Sequence, residues 1–316
     1  MNASYDITML NRDFGVPGRI AFRPGPCGEP IVVLVEEHGA CEVAIYGAHV
    51  LSYRPTGHSP VLWIAKDFMS MPDGNAIRGG IPVCWPWFGA RADGTGPMHG
   101  FARTARWNLL RTDYDSYSTS VTLLLEDSAE TRTLWPHAFR LELRVSVGAN
   151  LKVTLTTTNT GTEPFAITEA LHSYFRVKDI RDTKVAGLDG IRYIDRAPNG
   201  VDGVQSGDIA FSAETDRIYV GAPDECTVDD VSTGRKIRIA KEGARGAVVW
   251  NPWVEKSSRL TDLAPDDYLR FVCVETANAG EGPIEVAPGA THKLAATICA
   301  ELFDANGKPV TARPKS

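Results

Sequence analysis

The 316-residue sequence has no run of about 18 apolar residues, so it predicts no membrane-spanning helix. Its first residues, MNASYDITMLNRDFG, lack the basic start and apolar stretch of a secretory signal. The six cysteines form no CxxC pair or other metal-ligand spacing, and we expect a cytoplasmic protein with no metal. A net charge of −6 argues against nucleic acid or an anionic membrane surface as a partner.

Several catalytic motifs are also missing from the sequence. It contains no HExxH zinc-protease motif, no G-x-S-x-G serine-hydrolase turn, no Walker-type phosphate loop and no dinucleotide fingerprint. Glycoside hydrolysis needs two paired carboxylates, and no feature of the sequence pairs Glu169 with Glu275.

Short strands separated by turns fill most of the chain, with almost no helical periodicity. In RLELRVSVGANLKVTL, residues 140–155, apolar and polar residues alternate on both sides of a Gly-Ala-Asn turn, which predicts an antiparallel hairpin. Only the region 254–262 favours a short helix. No linker or repeat divides the chain. We therefore predict one all-β domain over residues 1–316, with its core at about 20–305, built as a sandwich of antiparallel strands.

The segment RGGIPVCWPWFG, residues 78–89, combines a cation, two glycines and several aromatic residues. Arg78 and the nearby Arg103 are candidates for binding an anion, because guanidinium groups match phosphate oxygens. Gly79 and Gly80 would let the backbone turn tightly and a ligand approach closely. Trp85 or Trp87 could form an apolar wall for a sugar. Taken alone, the arginines could equally be solvated and the aromatic residues part of the core.

Two strand-like segments each contain one candidate catalytic residue. In TEALHSYFRV, His172 lies on one face with the small side chains of Ala166, Thr168 and Ala170 if residues 166–172 are extended. In RFVCVETAN, Glu275 extends a row begun by the apolar side chains at 271 and 273, where desolvation would raise its pKa. A core histidine and an ordinary ion-paired glutamate are the alternatives. Asp216, in ETDR, could bind hydroxyls or pair with a surface cation.

Together these segments resemble the aldose 1-epimerase superfamily, and within it the D-hexose-6-phosphate mutarotases, or glucose-6-phosphate 1-epimerases. The resemblance rests on segments that occur in family order from about residue 30 to residue 300: RGGIPVCWPWFG, HGFARTARW, TEALHSYFRV, GLDGIRYID, ETDRIYV, VVWNPWVEK and FVCVETAN. It implies a galactose-mutarotase-like β-supersandwich. The implied enzyme uses no cofactor and interconverts the α and β anomers of a hexose 6-phosphate, a small-molecule substrate.

The resemblance also implies roles for individual residues. His172 matches the catalytic histidine of the family and Glu275 the catalytic glutamate, with Glu275 as base and His172 as acid on opposite sides of the sugar ring. The implied substrate-binding residues are Arg78, Arg103 and Asp216. His99 lies beside these motifs and is a further candidate for contact with the sugar, as is Trp85 as part of the apolar wall. Met98 occupies a position where the family often has a glutamine that binds substrate, so the resemblance leaves the exact sugar open.

Two alternatives to a hexose-6-phosphate mutarotase stay open. The first is an aldose 1-epimerase acting on free galactose or glucose, which the arginine pair disfavours. The second is a non-catalytic carbohydrate-binding β-sandwich, which would not need both His172 and Glu275. For any of the three we expect a monomer.

Overall fold

The computed structural model describes residues 5–91 and 93–303, and the backbone alone of residues 309–310. Three α-helices lie in this part of the chain: α1 (Ile7–Asp13), α2 (Ala129–Leu134) and α3 (Trp253–Ser257). The strands, numbered in chain order, are β1 (Ile20–Pro24), β2 (Pro30–Glu36), β3 (Gly39–Ala44), β4 (His49–Pro55), β5 (Val83–Cys84), β6 (Asn108–Tyr114), β7 (Thr119–Glu126), β8 (Phe139–Val147), β9 (Leu151–Asn159), β10 (Phe165–Ile167), β11 (Glu169–Leu171), β12 (Tyr174–Arg176), β13 (Thr183–Ala186), β14 (Arg192–Asp195), β15 (Gly203–Val204), β16 (Ile209–Ala210), β17 (Thr215–Val220), β18 (Glu225–Asp230), β19 (Arg235–Glu242), β20 (Gly246–Asn251), β21 (Phe271–Asn278), β22 (Ile284–Val286), β23 (Thr291–Phe303) and β24 (Pro309–Val310).

Two large sheets dominate the architecture. One has the strand order β16-β13-β18-β19-β23-β9-β8-β7-β6, with β24 added to β23. The other has the order β15-β14-β17-β20-β21-β11-β5, with β12 also paired to β21. A four-stranded sheet, β1-β2-β3-β4, and the pair β10-β22 complete the sandwich. Neighbouring strands run antiparallel, as in β8 with β9 and β20 with β21.

Strand β21 is buried on both of its faces. Val272 and Val274 point into the main apolar core, which draws residues from Leu10 to Ile298. Phe271 and Cys273 point to the opposite face, where two smaller buried clusters lie. Because successive side chains of a strand alternate between faces, Glu275 is carried on this second face. That face holds the candidate site.

The structure confirms the all-β prediction and the hairpin over residues 140–155, since β8 pairs residue by residue with β9. The expectation of one possible helix was wrong: the region around 254–262 contains α3, but α1 and α2 were missed. Both missed helices begin at a side-chain cap. Asp6 accepts bonds from the first turn of α1, and Ser128 forms a capping box with Thr131 in α2. Helices this short show no clear apolar periodicity.

Residues 166–172 are not one strand. Phe165–Ile167 pairs with β22, whereas Glu169–Leu171 joins the sheet of β21, so the chain changes sheets at Thr168. No helix in the described part of the chain is long and apolar enough to cross a membrane. The prediction of a single domain stays a prediction.

Candidate active site

The RGG segment is the scaffold of the site. Gly80 accepts a hydrogen bond from the backbone N–H of Tyr174, and Pro82 accepts one from that of His172. Gly79 and Gly80 both have positive φ, 102° and 61°. A Cβ on Gly80 would lie 2.1 Å from the carbonyl oxygen of Val50, and one on Gly79 would lie 2.4 Å from the Cα of Ile64. The two glycines therefore permit close packing of protein backbone; no ligand is needed to explain them.

We expect Gly80→Ala to lower the free energy of unfolding by about 3 kcal/mol or more, because it combines a left-handed backbone with a clash against a carbonyl group. Gly18→Ala is the matched control: Gly18 has a φ of 76° but no atom within 4 Å of an added Cβ. It should lose only about 1 kcal/mol. Urea denaturation measures both values. Equal losses in the two variants would contradict the role assigned to backbone crowding.

His172 and Glu275 face each other across two paired strands. Leu171 pairs with Thr276 and Tyr174 pairs with Cys273, so His172 is level with Glu275 in the same register. His172 Nε2 lies 3.3 Å from Glu275 Oε1. The prediction that acid and base lie on opposite sides of a sugar ring is therefore wrong: the two groups lie side by side.

Burial governs the protonation of this pair. The Glu275 side chain is 1% exposed, and burial raises its pKa well above the ordinary value, with nearby Asp216 acting in the same direction. Burial lowers the pKa of His172 well below its ordinary value, and His99 and the two arginines add to this effect. Both shifts favour neutral forms. In those neutral forms the pair shares one transferable proton, carried by the Glu275 carboxyl group beside the imidazole.

His99 lies next to this pair, with its ring centroid 5.7 Å from that of His172. The backbone N–H of Gly89 donates to His99 Nδ1 at 3.2 Å, and burial lowers the pKa of His99 to about 3. A neutral His99 therefore carries its proton on Nε2, which leaves that atom as a hydrogen-bond donor. Phe88 packs edge-on against the His99 ring at 4.8 Å.

Asp216 belongs to the same face of the sheet. It pairs with Trp250, which in turn pairs with Cys273, so Asp216 lies two strands away from the row that contains Glu275. Lys256 Nζ lies 3.2 Å from Asp216 Oδ2. Burial raises the pKa of Asp216, while Lys256 opposes that shift. Lys256 thus favours the carboxylate form of Asp216, and the negative charge of that form contributes to the raised pKa of Glu275.

The two predicted anion-binding arginines line one cleft of about 880 Å³, together with Tyr174 and Pro82. Arg78 donates from Nε to Asp262 at 2.9 Å and from Nη1 to the Tyr174 hydroxyl at 3.0 Å. Arg103 donates from Nη2 to the carbonyl oxygen of Met98 at 2.8 Å. The guanidinium groups of both arginines are therefore already oriented by hydrogen bonds where they line the cleft.

Met98 contributes its backbone to this arrangement. The residue lines the cleft and is 53% exposed, while its carbonyl group orients Arg103. The thioether cannot replace the polar contacts of a glutamine amide.

The structure contradicts the prediction that Trp85 contacts a sugar. Trp85 is 0% exposed, its indole N–H donates to Thr157 Oγ1 at 3.0 Å, and it packs against Phe139 and Trp135 in the main core. The indole of Trp87 donates to the carbonyl oxygen of Pro97 and also lies away from the cleft lining. The tryptophans of the segment 78–89 are therefore explained by packing in the protein interior.

The structure brings together His172, Glu275 and His99, sets Asp216 on the same face, and places Arg78 and Arg103 in one cleft; their roles stay predictions. Sequence reasoning missed Tyr174, whose signal was its position two residues after His172 on the same face. It also missed Lys256, which lies in the VVWNPWVEK segment. Asp262 had no signal, because it is 184 residues from its partner Arg78.

The sequence matches the family model for aldose 1-epimerase over residues 30–299. A protein from Salmonella typhimurium, provisionally named glucose-6-phosphate 1-epimerase, is 38% identical over 85% of this chain and 90% of that protein. A protein of the same provisional name from Cenchrus ciliaris is 35% identical over 84% of this chain and 82% of its own length.

Solved structures give the same result. A crystal structure from Salmonella typhimurium, provisionally described as a mutarotase, has a TM-score of 0.82 and 35% identity, covering 92% of this chain and 99% of that one. A galactose mutarotase-like protein from Clostridium acetobutylicum shares the fold, with a TM-score of 0.71 at 14% identity, over 90% of this chain and 98% of that one. The predicted galactose-mutarotase-like fold is confirmed. The chain belongs to the aldose 1-epimerase family, a family of isomerases.

Proposed function

We propose that this protein is a hexose-6-phosphate mutarotase, with glucose 6-phosphate as its substrate. The observation that carries the proposal is the contact between His172 and Glu275, which do not line the cleft themselves but reach it through Tyr174, a lining residue stacked on His172 beside Arg78. The provisional names of the relatives from Salmonella typhimurium and Cenchrus ciliaris support the same substrate.

Anomer exchange requires two proton transfers at neighbouring atoms. A base removes the proton from O1 while the C1–O5 bond breaks and an acid protonates O5, which yields the open aldehyde. Rotation about C1–C2 presents the other face of the carbonyl group, and the same two groups then run in reverse to close the ring. O1 and O5 are both bonded to C1, so an acid and a base that lie side by side can reach both.

His172 and Glu275 supply these two groups in the proposal. Glu275 acts as the base on O1 and His172 as the acid on O5, which requires the shared proton to move from the carboxyl group to the imidazole. The positive charges of Arg78 and Arg103 oppose that transfer by lowering the pKa of His172. A phosphate dianion bound at the arginines would offset their charge and so favour the imidazolium form. Binding of the substrate phosphate thereby favours the protonated form of His172, which is the acid of the reaction.

The phosphate on C6 is a handle that does not react. Its binding energy can orient C1 against the acid and the base, and arginine pairs phosphate oxygens through several N–H groups at once. Arg103 makes one described hydrogen bond, to a backbone carbonyl group, and so keeps donors for a ligand. Asp216 and the Nε2–H of His99 are the proposed partners of the sugar hydroxyl groups.

Arg103→Ala tests the phosphate claim. We expect the KM for glucose 6-phosphate to rise roughly 10- to 100-fold, because the variant loses charge-assisted hydrogen bonds. Turnover of free glucose, assayed in parallel, should change far less. Arg111→Ala is the matched control, since Arg111 pairs with Asp113 on the surface. Unchanged affinity for glucose 6-phosphate in Arg103→Ala, with glucose used equally well, would assign the protein to free aldoses.

We further propose a monomer in the cytoplasm. All six cysteines are free and four are buried, which fits a reducing compartment. Sedimentation of the purified protein measures the oligomeric state directly.

A further inference from the structure

Tyr174 touches both halves of the proposed site. Its ring lies parallel to the imidazole of His172, with centroids 4.9 Å apart and planes inclined by 9°. Its hydroxyl group accepts a hydrogen bond from Arg78 Nη1 at 3.0 Å. The same residue also lines the cleft. One side chain therefore joins the anion-binding arginine to the histidine.

The ring of Tyr174 is held firmly. The residue is 2% exposed, and it packs against Trp63, Trp250 and Phe271. Its backbone is fixed as well: the N–H donates to Gly80, and the carbonyl group accepts from Trp63. A ring packed this closely cannot turn its hydroxyl group away from the cleft without disturbing its neighbours.

The hydroxyl group of Tyr174 has an unused proton. A phenol can donate one hydrogen bond and accept others. Arg78 supplies a donor to the oxygen, and among the described residues the phenolic hydrogen has no acceptor. Burial raises the pKa of Tyr174, so the group stays protonated at neutral pH. The donor is therefore available at the point where the cleft meets Arg78.

The ring of Tyr174 has a separate effect on His172. The face of an aromatic ring carries partial negative charge and attracts a cation that lies over it. An imidazolium at residue 172 would be stabilised by this stack, whereas a neutral imidazole gains less. The titratable and charged groups that face His172 besides Tyr174 are Glu275, His99, Arg78 and Arg103, and the Trp250 ring packs edge-on against it.

We propose that Tyr174 binds the phosphate group of the substrate through its phenolic O–H, beside Arg78, and positions and stabilises the protonated His172 through its ring. This inference rests on the proposed function and adds a residue to it. The phenol selects a terminal phosphate oxygen, and the ring links occupancy of the phosphate subsite to the acid of the reaction.

Two variants separate the two contributions. In Tyr174→Phe, which keeps the ring, the KM for glucose 6-phosphate should rise roughly 10-fold or more while kcat and the pH profile stay the same. In Tyr174→Leu, which loses the ring, kcat should also fall and the high-pH limb of the profile should move to lower pH, because the imidazolium loses its support. Tyr53→Phe is the control: its hydroxyl group is buried and unpaired in the core, so both parameters should stay as in the wild type.

An experiment without turnover tests the link between the subsites. Inorganic phosphate is titrated into protein labelled with ¹⁵N-histidine, and the His172 resonances are followed by NMR. We expect a shift in the wild type that requires several-fold more phosphate in Tyr174→Phe. Equal titration curves for the wild type and Tyr174→Phe would overturn the role of Tyr174. If the wild type turns over glucose 6-phosphate, an unchanged KM in Tyr174→Phe would overturn it as well. A wild type with no activity on glucose 6-phosphate would instead refute the proposed function.

Discussion

Replacing Glu275 by Gln should slow the anomer exchange of glucose 6-phosphate by about 10²- to 10⁴-fold. The amide has nearly the shape of the carboxyl group and can still hydrogen-bond to His172, which lies 3.3 Å away. It cannot take a proton from O1 or hold the shared proton of the pair. The loss should therefore appear in kcat, with little change in KM, since the phosphate handle is untouched.

The protein contains a matched control for this substitution. Glu169 is also fully buried and also contacts a histidine, with Oε1 2.8 Å from His292 Nε2. It lies next to β21 in the same sheet but pairs with Asn278, on the opposite face from Glu275. Glu169→Gln should keep most of the activity. If Glu275→Gln also kept most of the activity, Glu275 would not be the base.

Replacing His172 by Asn should cost a similar factor, about 10²- to 10⁴-fold in kcat, because the ring oxygen loses its proton donor. His172 and Glu275 share one proton, so they act as a unit and their effects should not add. The double variant should be little slower than the slower single variant. Multiplied losses would show two independent groups and contradict the shared-proton mechanism.

The strand pattern was largely predictable from the sequence, because one face of each strand is buried and alternation shows it. The row Phe271–Cys273–Glu275 is an example: the carboxyl group does extend a buried row, although the row continues to Ala277 and Glu275 is not at the strand end. Local periodicity was enough for this row. It was not enough for His172, which was expected on one extended segment from residue 166 but lies between β11 and β12, after the chain changes sheets at Thr168.

Features that depend on distant contacts were not predictable. The register that makes His172 level with Glu275 links residues about 100 positions apart, and nothing local encodes it. Trp85 looked like a ligand wall because its neighbours in sequence are unusual, yet its partners Thr157 and Phe139 lie on β9 and β8. Residue 80 must be a glycine because the carbonyl group of Val50 lies too close for a Cβ atom. Each of these depends on tertiary packing.

The most direct test of acid–base catalysis by this pair is the rate of α–β exchange of glucose 6-phosphate, measured by exchange NMR on the wild-type enzyme from pH 5 to pH 9. We predict catalysed exchange with a bell-shaped dependence of kcat on pH, because the pair works only while it holds one proton. A flat profile, or exchange no faster than in buffer, would contradict the mechanism.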